Sequence, residues 1–190
     1  MAIRRCLITG THGCGKSTLS HRICSELKRK GYNAIVISET ARESPFPINK
    51  GQTVESTLYI ALKQAVKELE AIAHGYTYLV LDRGVLDSFF YSEATRQHPI
   101  TDLEKHLLSA LTTWTQDYDE IILLTGEGKE TLEADGVRDT DRQFAQNVED
   151  LLKKFFLEKF GDRVCMLSYP EMLACNIHIN EDGKIVLKDA

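Results

Sequence analysis

Short continuous apolar runs alternate along the chain with longer stretches in which apolar positions recur every three or four residues. Cys6-Leu7-Ile8, Ala34-Ile35-Val36-Ile37, Tyr78-Leu79-Val80-Leu81, Ile121-Ile122-Leu123-Leu124 and Val164-Cys165-Met166-Leu167 have strand length. None of them alternates with polar residues, as expected of strands buried on both faces. Between them, Leu19, Ile23, Cys24 and Leu27 predict a helix over 16–30, stopped by Gly31. Its last turn carries Lys28, Arg29 and Lys30, which complement the helix dipole. Leu58, Ala61, Leu62, Ala65, Val66, Leu69 and Ile72 predict an amphipathic helix over 54–74, with that stripe facing the core. The stretch "TDLE" at 101–104 is a capping box that opens a helix through Leu107, Leu111 and Trp114. Phe144, Val148, Leu151, Leu152, Phe155 and Phe156 mark one more helix.

This order predicts an α/β fold, a five-stranded parallel sheet with helices on both faces. The tail "NIHINEDGKIVLKD" does alternate, around Asp182-Gly183, and predicts a C-terminal β-hairpin appendage at 176–188. A chain of 190 residues suits a single domain. Its core runs over 3–170, and a polar segment at 126–143 has the composition of a lid.

The formal net charge of −5 argues against a protein that grips nucleic acid along its backbone, which needs clustered Lys and Arg. Five cysteines, an odd number with no C-x-x-C pair, and six scattered histidines exclude a disulfide framework or zinc knuckle. The apolar run in "MAIRRCLITG" is too short for a signal peptide, and nothing approaches the ~18 apolar residues of a membrane span. The expectation is a cytoplasmic protein with no membrane partner.

Chemistry enters at "GTHGCGKS", Gly10 to Ser17, which matches G-x-x-x-x-G-K-[ST] in full. Glycines let the backbone curl until several N–H groups face one phosphate, and the following helix adds the positive end of its dipole. The run Thr11, His12, Gly13, Cys14, Gly15, Lys16, Ser17 and Thr18 is therefore the expected nucleotide-binding loop of a P-loop NTPase. Lys16 reaches the terminal phosphates, and the Ser17 hydroxyl is a ligand for Mg2+. Cys14 reads as a small residue that fits the loop.

Ligands of such sheets gather at the carboxyl ends of the strands. Three polar clusters fall there: "SETARE" with Glu39 and Arg42, "LDRGVLDS" with Asp82, Arg83 and Asp87, and the pair Arg138 and Arg142. Phosphoryl transfer has a use for each. Asp82 would hold Mg2+ directly or through water. Glu39 would be the base toward an acceptor hydroxyl, or a second carboxylate around the metal. Arg83 would neutralise phosphate charge, and Arg138 and Arg142 would close over the triphosphate. A plain ion pair, a surface glutamate and a solvated charged turn are the competing readings of the same residues.

The phosphate loop with "SETARESPFPIN", "YLVLDRGVLDS" and "DGVRDTDRQF" resembles the small P-loop kinases of the nucleoside and nucleotide kinase superfamily. Within it the chain is similar to thymidylate kinase-like proteins and to ribosylnicotinamide-kinase-type ATP-binding domains. The resemblance covers residues 3 to about 170 and leaves the hairpin out. It implies an acceptor pocket under the second helix, with Glu39, Arg42, Asp82, Arg83 and Gln64 around it, and a lid with Arg138 and Arg142. The cofactors implied are ATP and Mg2+, with a small nucleoside or nucleotide as acceptor. Gly84 stands where thymidylate kinases often carry an aromatic residue. Two other functions fit a phosphate loop: a nucleotide-dependent switch or ATPase acting on a protein partner, and a polynucleotide 5′-kinase. The apolar helix at 101–114 offers a face on which two copies could pair.

Overall fold

The computed structural model describes residues 3–96, 99–129 and 141–188. Five strands form one parallel sheet: β1 (Arg4–Gly10), β2 (Ala34–Ile37), β3 (Tyr78–Asp82), β4 (Glu120–Leu124) and β5 (Val164–Leu167), in the order β2-β3-β1-β4-β5. β1 lies at the centre, with Ile8 opposite Asp82 on one side and Gly10 opposite Leu124 on the other. Its carboxyl end therefore opens between two neighbouring strand ends, where ligands of such sheets collect.

Successive side chains leave a strand on opposite faces, so each apolar run feeds two cores. Cys6, Ile8, Val80, Ile122 and Leu124 pack with Leu19, Ile23 and Leu27 of α1 (Lys16–Arg29). Leu7, Leu79, Leu81, Ile121 and Leu123 face the other way. They pack with α2 (Val54–Ala73), α3 (Asp87–Thr95), α4 (Asp102–Trp114) and α5 (Arg142–Phe160). The predicted capping box opens α4: Thr101 accepts from the Glu104 N–H, and Glu104 reaches back to the Thr101 N–H.

The chain closes with α6 (Tyr169–Ala174) and a hairpin of β6 (Asn176–Ile179) and β7 (Ile185–Lys188). Met172, Ile179 and Ile185 join the apolar layer on the α1 side. The hairpin is thus part of that core.

Two helices escape the sequence reading. α3 has no apolar period because it is buried nearly all round, from Asp87 to Ser92. α6 is one and a half turns long, too short to show a period at all.

The expected stripe of α2 is corrected. Leu62, Val66 and Leu69 are about half exposed, and the inward face carries Ser56, Thr57, Gln64 and Glu68 among Ile60, Ala61 and Ala71. This face looks onto a cleft and a buried hydrogen-bond network, so polar groups occupy it and leucines turn outward.

Glu68 is the centre of that network. It accepts from Tyr118 Oη at 2.9 Å and Trp114 Nε1 at 3.0 Å, with Arg5 Nε 3.8 Å away. Glu68→Ala would leave the buried Tyr118 hydroxyl, the part-buried Trp114 N–H and the part-buried Arg5 guanidinium without their carboxylate. A loss of about 3–5 kcal/mol is expected in urea unfolding followed by the fluorescence of Trp114, with a smaller loss for Glu68→Gln.

Candidate phosphoryl-transfer site

The loop between β1 and α1 is held open for an anion. Gly13 and Gly15 have φ of +79° and +92°, and Gly15 caps α1 with no side-chain partner for the first-turn N–H groups. Those donors are left for a ligand. The Lys16 ammonium folds over the loop to the Thr11 carbonyl and lies 3.6 Å from Cys14 Sγ. Burial, and then the charge of Arg83, lowers its pKa from the ordinary lysine value. Cys14 is fully buried and donates to Thr11 O at 3.0 Å, the small residue the sequence suggests.

At the tip of β3, Asp82 Oδ2 accepts from Ser17 Oγ at 2.6 Å. Its Oδ1 is buried and has no hydrogen-bond partner among the described residues. A hydroxyl and a carboxylate side by side, with one oxygen left over, form a hard-oxygen donor set that suits Mg2+ completed by waters and phosphates.

Arg83 follows at once, with φ of +78°, a conformation in which a non-glycine side chain is strained. Its backbone is pinned on both sides: its N–H donates to Ile8 O at 3.0 Å, and its carbonyl accepts from Gln64 Nε2 at 3.0 Å. This throws the guanidinium inward. Nε donates to Glu39 Oε1 at 2.7 Å, one terminal nitrogen to Gly10 O and Asp87 Oδ1, and the other to Tyr91 Oη at 2.9 Å. One buried cation joins the ends of β1, β2 and α3.

Glu39 stands at the mouth of this array. Burial works to raise its pKa, but Arg83 and Lys16 outweigh that, and the carboxyl lies below the ordinary glutamate value. Its second oxygen is 3.8 Å from Arg42 Nε. Lys16, Ser17, Glu39, Arg42, Gln64, Arg83 and Asp87 all line a single cleft.

A family model described as an AAA domain matches residues 5–171. The chain belongs to that family. Solved structures show the same fold. The deoxyadenosine kinase from M. mycoides with bound dATP has a TM-score of 0.58 and 14% identity, over 88% of this chain and 91% of that one. The thymidylate kinase from Ehrlichia chaffeensis has 0.60 and 15%, over 88% of both chains. The NadR protein in complex with NAD and AMP-PNP has 0.60 and 16%, over 87% of this chain and 44% of that one. No curated protein matches the chain in sequence.

On this family scaffold, the remaining expected residues divide into three groups. Asp87 and Gln64 reach the cleft, but their polar atoms serve the framework. Asp87 accepts from Thr9 Oγ1 at 2.9 Å and the Gly84 N–H at 2.8 Å, and Gln64 accepts from Thr40 Oγ1 at 2.5 Å. Arg142 is the first residue of α5 and borders a second depression, behind Thr11–Cys14 and beside Lys129. Arg138 lies outside the described residues.

Three contributors were not foreseen. Tyr91 sits one helical turn after Asp87, and a helix at 87–95 would have pointed to it. Lys129 donates to Gly13 O at 2.5 Å and lies 4.9 Å from the centre of the Tyr169 ring. Gln52 donates to Ser88 O at 2.7 Å and lines the far end of the cleft. Neither Lys129 nor Gln52 carries a local pattern that separates it from a loop residue.

The Glu39 carboxyl, followed by carbon-detected NMR, is expected to titrate below the ordinary value of about 4.3. Replacing Arg83 by Gln leaves burial unopposed by its main partner. The midpoint in Arg83→Gln is then expected to rise above the wild-type position.

Proposed function

We propose that the protein is an ATP- and Mg-dependent phosphotransferase that moves the γ-phosphate to a hydroxyl of a small nucleoside-like acceptor. The observation that carries this reading is that Ser17, hydrogen-bonded to Asp82 behind it, and the Arg83-bound Glu39 carboxylate line one cleft. The fold likeness supports it, since the similar structures are named as a deoxyadenosine kinase, a thymidylate kinase and a protein holding AMP-PNP.

In this reading the loop amides and Lys16 hold the triphosphate, and Ser17 with Asp82 would hold Mg2+. The metal would supply neutralisation of charge on the phosphate oxygens. Glu39 orients the acceptor hydroxyl and takes its proton as the oxygen–phosphorus bond forms and the β–γ bridge breaks toward ADP. A carboxylate that stays ionised well below neutral pH is always ready to accept. The loose transition state of phosphoryl transfer asks little of its basicity.

Charge chooses between a nucleoside and a nucleotide. Apart from Lys129, which donates to the Gly13 carbonyl of the phosphate loop, the charged residues of the cleft beyond that loop are Glu39 and Asp87 against Arg42 and Arg83. Arg83 is already committed to four acceptors. A monophosphate would bring two further negative charges to a wall where two arginines already face two carboxylates. An uncharged acceptor is the better match, with Ile48 and Ile60 as apolar wall and Thr40, Gln52 and Ser88 as polar rim.

Labelled ATP with a panel of nucleosides, nucleoside monophosphates and a 5′-hydroxyl oligonucleotide tests this directly. Label is expected on nucleosides, and label confined to monophosphates or to the oligonucleotide would refute the acceptor class. Lys16→Ala is expected to abolish transfer with the fold retained by circular dichroism. Glu39→Gln is expected to lower kcat by ~10²-fold or more, the usual contribution of a positioned base. An unchanged rate would remove Glu39 from the mechanism.

A further inference from the structure

α6 and the hairpin pack along α1 and reach its N-terminus, where the phosphate loop ends. Met172 is fully buried and lies against Gly15, so closely that a methyl group at Gly15 would collide with it. Arg22 of α1 fixes α6 from below, donating to Met172 O at 2.7 Å and Cys175 O at 2.5 Å. The hairpin is tied to the sheet by the Ile185 N–H, which donates to the buried Glu120 Oε1 at 2.7 Å. The other end of α6 meets the turn after β4. The Tyr169 N–H donates to Glu127 O at 3.2 Å, and a Cβ at Gly128 would lie 2.5 Å from Pro170. From that turn Lys129 returns to the Gly13 carbonyl. The loop is thus contacted at Gly13 and Gly15 by one continuous buttress. Gly13 and Gly15 are also two of the three loop glycines with positive φ, the third being Gly10.

We infer that the C-terminal arm, residues 169–188, is a positioning element for the phosphate loop, with Met172 as the residue through which it acts. Glycine-rich backbone has no side chains of its own to lock it, and its ordering on ligand binding is an entropic cost. A buried methionine against Gly15 meets that cost in the folded protein, before any nucleotide arrives. The inference rests on residues 10–17 being the triphosphate seat and is independent of the acceptor.

Calorimetry of the full chain with Mg-ATP and with inorganic tripolyphosphate separates the outcomes. Met172→Ala is expected to weaken both by about tenfold, a typical coupling between packed elements, and to leave the acceptor KM unchanged. Met172→Leu conserves volume and is expected to restore most of the affinity. If Met172→Ala does not fold, Arg22→Gln carries the test, with the same split expected. Linkage is reciprocal, so Mg-ATP is expected to slow hydrogen exchange at the Ile185 amide. Unchanged affinity in a folded variant would overturn the inference. So would equal weakening of donor and acceptor, a loss confined to ATP with tripolyphosphate unaffected, or an Ile185 amide indifferent to nucleotide. Loss of tripolyphosphate binding in Lys16→Ala keeps the premise itself under separate control.

Discussion

A guanidinium withdrawn from water needs acceptors on several sides, and that requirement organises this molecule. Arg83 is 8% exposed and surrounded by Glu39, Asp87, Gly10 O and Tyr91. Removing any one of these would leave a buried charge short of a partner, so each is held in place by the others. The strained φ of Arg83 follows from this demand. At that backbone angle the side chain turns back under the strand ends, and the bonds to Ile8 O and Gln64 hold the angle. The same cation sets the ionisation of Glu39, which links the stability of the strand ends to the chemistry at the mouth of the cleft.

What could be read in the sequence was whatever is local. Apolar runs of strand length are local, and β2 and β5 begin and end where their runs do, although β5 is an edge strand with Cys165 and Met166 exposed rather than buried on both faces. The phosphate loop is eight contiguous residues whose types follow from backbone geometry, and Ser17 and Asp82 were paired by chemistry alone. The partners of Arg83 are different: Glu39 is 44 residues away and Gly10 is 73, and no pattern marks such a pairing in advance. The error in α2 has the same root. A helix beside a polar cleft turns Gln64 and Glu68 inward, and a reading that assigns leucines to the core inverts its faces. α3 was hidden by complete burial, and α6 by its length.

The two sides of the cleft are built on different principles. Around Arg83, side-chain charges face one another and most polar atoms are committed to one another, beside the apolar Ile48 and Ile60. Around Gly13 and Gly15 the backbone itself lines the cleft, and side chains hold it. Lys129 and Met172 approach that backbone from two directions, one through a carbonyl and the other through contact with a glycine that admits no Cβ.

The cover over Gly15 comes from residues that follow all others lining the cleft in chain order. A ribosome therefore makes the loop, Asp82 and the Arg83 array before it makes the cover over Gly15. A nascent chain halted before Met172 would carry every chemical group of the site and still lack the wall that shapes its glycines. The shape of the loop's surroundings is then completed by packing, after the residues of the loop itself are in place.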